Sequence, residues 1–125
     1  MTEIKDSIKP LTVAICDDDT DTCELVKLIG GQIGVNVLTC FKLDDFNSAE
    51  ADNDIDVVFM DVNWGKVNGI QMARKLKDQY KVYILSGAHN IEEITREEEL
   101  NGYLEKPFSL KTIRTLLTTL AEEND

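Results

Sequence analysis

Four short apolar runs in this chain each stop at polar residues that could work together as one reactive site. Residues 11–16 stop at Asp17, Asp18 and Asp19, and residues 55–60 at Asp61. Residues 82–85 stop at Ser86, and residues 103–105 at Lys106 and Pro107. If the runs are parallel strands of one sheet, these ends share its carboxyl edge, where open α/β folds bind ligands. Carboxylates, a hydroxyl and an ammonium would then converge. A carboxylate can accept a phosphoryl group directly to give an acyl phosphate, and a fixed ammonium can neutralise the charge on that group. That is the outline of a phosphoryl-transfer site, with Asp61 as acceptor and Lys106 as the cation.

Gathering Asp17, Asp18 and Asp61 is costly, because like charges in one pocket raise each other's pKa. A hard divalent cation resolves the conflict. Magnesium suits it, since it keeps several waters and takes one or two carboxylates plus phosphate oxygens. The backbone carbonyl of Asn63 is a further candidate ligand. Gly87 and Ala88, small residues after Ser86, leave room for an incoming phosphoryl donor. Asn68-Gly69 supplies residues tolerant of unusual backbone angles before the next helix.

Two other acidic motifs can be tested by spacing. A calcium-binding EF-hand loop beginning at Asp17 needs glycine at its sixth place and glutamate at its twelfth. Those places hold Thr22 and Leu28, so that reading fails. A haloacid-dehalogenase-like phosphatase would use Asp17 as nucleophile and Asp19 as acid/base. It expects Thr or Val where Asp21 stands, and remains the enzyme alternative.

Positioning these residues requires alternating strands and helices, and the sequence alternates throughout. The apolar run 11–16 is followed by a helix from about Thr20, with Cys23, Leu25, Val26, Leu28, Ile29 and Ile33 as its apolar positions. A half-buried strand spans 35–40 and a short helix 43–51. Residues 55–60 form the most continuous apolar run and so the central strand. After a turn at 65–69, a helix carries Ile70, Ala73 and Leu76 on one face. A strand at 82–85, a charged helix at 91–100 and a short strand at 103–105 follow. The last helix starts near Ser109, a capping residue, with a stripe at Ile113, Leu116, Leu117 and Leu120. Five strand–helix units imply a parallel sheet covered by helices on both faces. The domain should span 11–123, with 1–10 as an N-terminal tail.

The 125 residues suffice for one domain, and a hydrophobic fraction of 42% with 30% charged residues fits a globular class. No run approaches a membrane span, and the start lacks a secretory apolar segment, so a cytoplasmic protein is expected. Cys16, Cys23 and Cys40 form no metal-type pair and should be buried, reduced thiols. The formal net charge of −11 argues against direct nucleic-acid binding, which needs a basic face.

The ordered set Asp17-Asp18, Asp61 with Gly69 eight residues on, Ser86, and Lys106-Pro107-Phe108 resembles the receiver domain of two-component response regulators. The resemblance runs from about Leu11 to Leu120. It implies a flavodoxin-like (βα)5 three-layer sandwich with a five-stranded parallel sheet of order 2-1-3-4-5, a fold for which a receiver protein is itself a standard example. It implies that Asp61 is phosphorylated by a sensor histidine kinase or a histidine phosphotransfer protein. It makes Asp18, Asp61 and the Asn63 carbonyl ligands of magnesium, for which manganese can substitute, with Asp17 acting through water. Ser86 and Lys106 would bind phosphoryl oxygens, and Tyr103 would follow Ser86 inward as the switch aromatic. The protein would be a phosphoacceptor switch rather than an enzyme, with its output and downstream target unnamed. The face built from the fourth helix, fifth strand and fifth helix is a candidate homodimer surface. Gly65, Trp64 and Asn68 depart from the usual loop residues and should loosen the loop after Asp61. The stretch from Ser86 to Lys106 is also slightly short. A receiver-like adaptor working without phosphorylation is the binding-module alternative.

Overall fold

Buried alternation along five short strands builds the architecture. The computed structural model describes residues 9–124, so most of the expected tail lies outside the described residues. The strands are β1 (Thr12–Cys16), β2 (Asn36–Cys40), β3 (Val57–Asp61), β4 (Lys81–Ser86) and β5 (Gly102–Glu105). The helices are α1 (Thr20–Gln32), α2 (Leu43–Asp52), α3 (Gly69–Leu76), α4 (Ile91–Glu97) and α5 (Leu110–Glu123). The sheet has the order β2-β1-β3-β4-β5, with every neighbouring pair parallel. This is the order that the resemblance implies.

Successive strand residues face opposite layers. Val13, Ile15, Val57, Phe59 and Leu85 pack with Cys23, Val26 and Ile29 of α1 and Ile113, Leu117 and Leu120 of α5. Ala14, Cys16, Val58, Met60, Val82 and Ile84 face the other way, against Phe46 of α2, Ala73 and Leu76 of α3 and Ile91 of α4. Every residue of β1 and β3 is buried, as central strands covered on both faces must be. Truncating a fully buried aromatic such as Phe59 should cost about 3–5 kcal/mol.

The helix starts follow local chemistry. Asp19 caps α1 by accepting from the Asp21 amide at 3.1 Å, and Ser109 caps α5 by accepting from the Thr112 amide at 3.1 Å. Gly30 lets α1 lie close on β2, since a Cβ there would come within 2.5 Å of Val37 Cγ2. Among the described residues, no helix is long and apolar enough to cross a membrane. All three cysteines are free and buried.

Some expectations need correction. Leu28, one of the apolar positions of α1, is 61% exposed, because α1 buries only a narrow stripe of Cys23, Val26, Ile29 and Gly30. The fourth helix ends at Glu97, short of the expected Leu100, because Glu99 takes a left-handed conformation (φ 56°) that stops it. Lys9, within the stretch expected to be a tail, pairs with Asp54 at 2.8 Å on the surface.

Candidate functional site

Parallel pairing carries the ends of β1, β3, β4 and β5 to one edge. Cys16 is in register with Met60, Asp61 with Leu85, and Ser86 with Glu105. Asp17 and Asp61 therefore emerge side by side from the two central strands, with Ser86 and Lys106 one and two strands further along. The winding direction reverses between β1 and β3, and such a switch point is where open α/β sheets leave a crevice for ligands.

Lys106 ties the edge together. Its Nζ lies 2.7 Å from Asp17 Oδ2 and 3.5 Å from Asp61 Oδ2. Asp17 is fully buried and Asp61 nearly so, whereas Asp18 is exposed. Asp17 Oδ1 accepts from the Asp19 amide at 2.9 Å, and Asp61 Oδ1 from the Asn63 amide at 3.3 Å. The close approach of Lys106 to Asp17 Oδ2 lacks hydrogen-bond alignment, leaving that oxygen buried without a hydrogen-bond partner. Burial, and then the charge of Asp17, push the Asp61 carboxyl up to about 6, with Lys106 only partly offsetting them. For Lys106, burial works against the ammonium, but Asp17 and Asp61 outweigh it and raise its pKa.

One lysine thus stands against two of three clustered carboxylates, and the surplus negative charge defines what the site suits. Oxygens of Asp17, Asp18 and Asp61 all lie within 4.8 Å of one another. A hard oxygen-only donor set that carries more negative charge than Lys106 balances fits a divalent cation of the magnesium type.

The other expected residues divide. Ser86 is buried at the same edge, but its Oγ accepts from the Ala88 amide at 3.0 Å. Gly87 and Ala88 are exposed beside it, and a Cβ on Gly87 would come no nearer than 3.7 Å to the Lys106 carbonyl. The Asn63 side chain is exposed. Tyr103 is 37% exposed and lines a surface groove with Leu104, Lys111, Thr112, Thr115, Leu116 and Thr119. It therefore lies outside both the site and the core. The Lys106–Pro107 peptide is cis. Asp19, which a phosphatase would need as acid/base, is occupied as a helix cap and by the Thr22 hydroxyl at 2.8 Å.

The loop after Asp61 differs from expectation. It is closed by a two-residue antiparallel ladder, Asn63–Trp64 with Val67–Asn68. Trp64 is buried and packs edge-on against Phe46, with ring centres 6.5 Å apart. Trp64, one of the departures from the usual residues, therefore anchors the loop in the core. Asn68 keeps ordinary extended angles and caps α3, accepting from the Ile70 and Gln71 amides; the left-handed residue is Gly65 (φ 58°). Gly69 matters through contact instead. A Cβ there would fall 1.9 Å from the Asp61 carbonyl oxygen, so only glycine lets α3 start against the Asp61 backbone. The sequence marks the glycine but cannot distinguish a turn from a close approach.

A family model described as the response regulator receiver domain matches residues 13–118. Solved structures agree on the fold. A response regulator from Thermotoga maritima superposes with a TM-score of 0.78 at 22% identity, covering 91% of this chain and 99% of that one. The chemotaxis response regulator CheY4 of Vibrio cholerae gives 0.77 at 18% identity, covering 90% and 99%. DrrB, an OmpR/PhoB homolog of Thermotoga maritima, gives 0.78 at 22% identity, covering 94% of this chain but 55% of that one. A sequence comparison with curated proteins finds no match. With the family match spanning most of the chain and a carboxylate–lysine edge at its centre, this protein belongs to the response regulator receiver domains of two-component signalling.

Proposed function

We propose that Asp61 is the phosphoacceptor and that this edge transfers a phosphoryl group to it from a phosphohistidine on a sensor kinase or phosphotransfer protein. An Asp61 carboxylate oxygen attacks phosphorus as the P–N bond breaks. The imidazole leaves and takes up a proton, and an acyl phosphate remains. Lys106 is placed to neutralise charge on the transferring group, so positioning and electrostatics carry the rate. Magnesium, when bound by Asp18, Asp61 and the Asn63 carbonyl, with Asp17 acting through water, would supply further charge neutralisation. The observation that carries this reading is the single ammonium set against Asp17 and Asp61, with Asp18 within reach of both.

In this reading the chemistry is performed on the protein's own side chain, and the output is conformational. The new phosphoryl group, of charge about −2, draws the Ser86 hydroxyl away from the Ala88 amide, and Tyr103 follows inward from its exposed position. An output domain or a separate target reads the change. DrrB, almost twice as long as the part matched here, supports a receiver of this shape being joined to more chain.

Acetyl phosphate labelling followed by peptide mapping tests the reading. Wild-type protein should acquire phosphate on the peptide holding Asp61 when magnesium is present, and Asp61→Asn should acquire none. Label on Asp61→Asn, or none on the wild type, would defeat it; the second result would favour a phosphorylation-independent adaptor.

A further inference from the structure

We propose that α4 is hinged at its C-terminal end on a clamp of Arg74, Lys77 and Asn101, so that a change at Asp61 and Ser86 swings its first turn while its last turn stays in place. The proposal rests on the reading of Asp61 given above. It comes from how differently the two ends of this seven-residue helix are held.

At the C-terminal end, Arg74 of α3 grips the Glu98 carboxylate with two N–H groups, at 2.6 and 2.7 Å. Lys77 donates to the Glu98 carbonyl at 2.7 Å and lies 3.9 Å from the Glu99 carboxylate. A forked arginine–carboxylate pair fixes direction as well as distance. Asn101 then locks the chain to the start of β4. Its amide donates to the Val82 carbonyl at 3.0 Å, and its side-chain oxygen accepts from the Val82 amide at 2.9 Å. The Glu98 and Leu100 amides are also bonded back into the helix, to Ile94 and Thr95 carbonyls. The exit from α4 is thus tied to α3 at Glu98 and to β4 at Asn101.

The N-terminal end has no such support. Gly87, Ala88, His89 and Asn90 are all exposed, and Asn90 caps α4 without a side-chain hydrogen bond. Among the described residues, the only side-chain hydrogen bond reaching 87–90 runs from the Ala88 amide to Ser86 Oγ. That hydroxyl is the group a phosphorylated Asp61 would recruit. Ile91 is the first apolar anchor, so the swing is a small slide of Ile91 within the layer that also holds Ile84 and Ala73.

The clamp is coupled to the acceptor. Arg74 and Lys77 sit at the far end of α3, whose first residue, Gly69, donates to the Val62 carbonyl at 2.9 Å and lies against the Asp61 backbone. A rigid α3 thus fixes the hinge point relative to the phosphorylated residue, while the loop from Ser86 delivers the displacement. This is hinge motion with a defined fixed end.

Residue-resolved amide hydrogen exchange, with magnesium and beryllofluoride as the phosphoryl mimic, tests the proposal. In the wild type, the mimic should change exchange severalfold at amides of 88–94 and leave Glu98, Leu100 and Asn101 unaltered. In Arg74→Gln the change should spread to 98–101, and Glu98→Gln, which removes the same fork from the other side, should behave alike. Changes at 98–101 in the wild type as large as those at 88–94, or variants indistinguishable from the wild type, would overturn the hinge while leaving Asp61 as acceptor. No change anywhere would overturn the reading of Asp61, and the hinge with it.

Discussion

The two edges of the sheet both carry aspartates, yet they spend them differently. At the edge where strands begin, Asp54, Asp56 and Glu123 each have a partner of their own. Asp56 accepts from the Thr12 amide at 2.8 Å, Asp54 pairs with Lys9 at 2.8 Å, and Glu123 lies 3.5 Å from Lys81. At the edge where strands end, Asp17 and Asp61 share Lys106, and Asp18 stands beside them. Acid with its own partner is neutralised locally; surplus acid held in partial burial is a standing demand for a cation.

The largest effect should come from removing the shared cation. Lys106→Ala leaves Asp17 buried and unpaired, and should destabilise the metal-free protein by about 3–5 kcal/mol in urea unfolding. Magnesium should restore part of that loss. A loss no larger than that of a surface substitution would erase the contrast between the edges.

Next comes the dependence on pH. Asp61 titrates at about 6 in the folded chain, against 3.8 for an ordinary aspartate. Between these values the folded protein holds a proton that the unfolded chain has released. Stability of the metal-free protein should therefore fall as pH rises from about 4 to 6, by about 2–3 kcal/mol, and stay lower above that. Asp61→Asn removes this loss, so at neutral pH without metal it should be more stable than the wild type. Unfolding curves across the window, compared between the two proteins, check the sign.

At the opposite edge the expected effects are smaller. Asp56→Ala deletes the acceptor for the Thr12 amide and should cost about 1–3 kcal/mol, with acetyl phosphate labelling of Asp61 retained. Smallest of all, Lys9→Ala breaks an exposed pair and should leave the melting temperature unchanged within error. A drop in labelling for either variant would mean that the two edges are not independent.

The sequence carried the strand order only through the family resemblance, but it carried the strands themselves through burial. Runs such as 55–60 must be covered on both faces, and their polar ends must then meet. Leu28 was illegible because periodicity reports which residues are apolar, not whether a neighbouring helix covers them. The end of α4 was illegible because it turns on the left-handed backbone of Glu99, which periodicity does not encode. At the site, Asp17, Asp61 and Lys106 could be read because charge directly after a buried strand has few other uses. The engagement of Ser86 with the Ala88 amide, the outward Tyr103 and the close seat of Gly69 depend on rotamer and contact, which spacing does not encode. Nor could the Arg74–Glu98 fork be read, since it joins residues far apart on two helices that look like ordinary charged surface.

Magnesium titration by calorimetry at neutral pH, on the wild type, Asp61→Asn and Asp56→Asn, tests most directly whether the surplus acid is a cation site. The expected result is one ion per chain for the wild type and for Asp56→Asn, with binding severely weakened in Asp61→Asn. Absence of binding in the wild type, or equal binding in all three proteins, would contradict it.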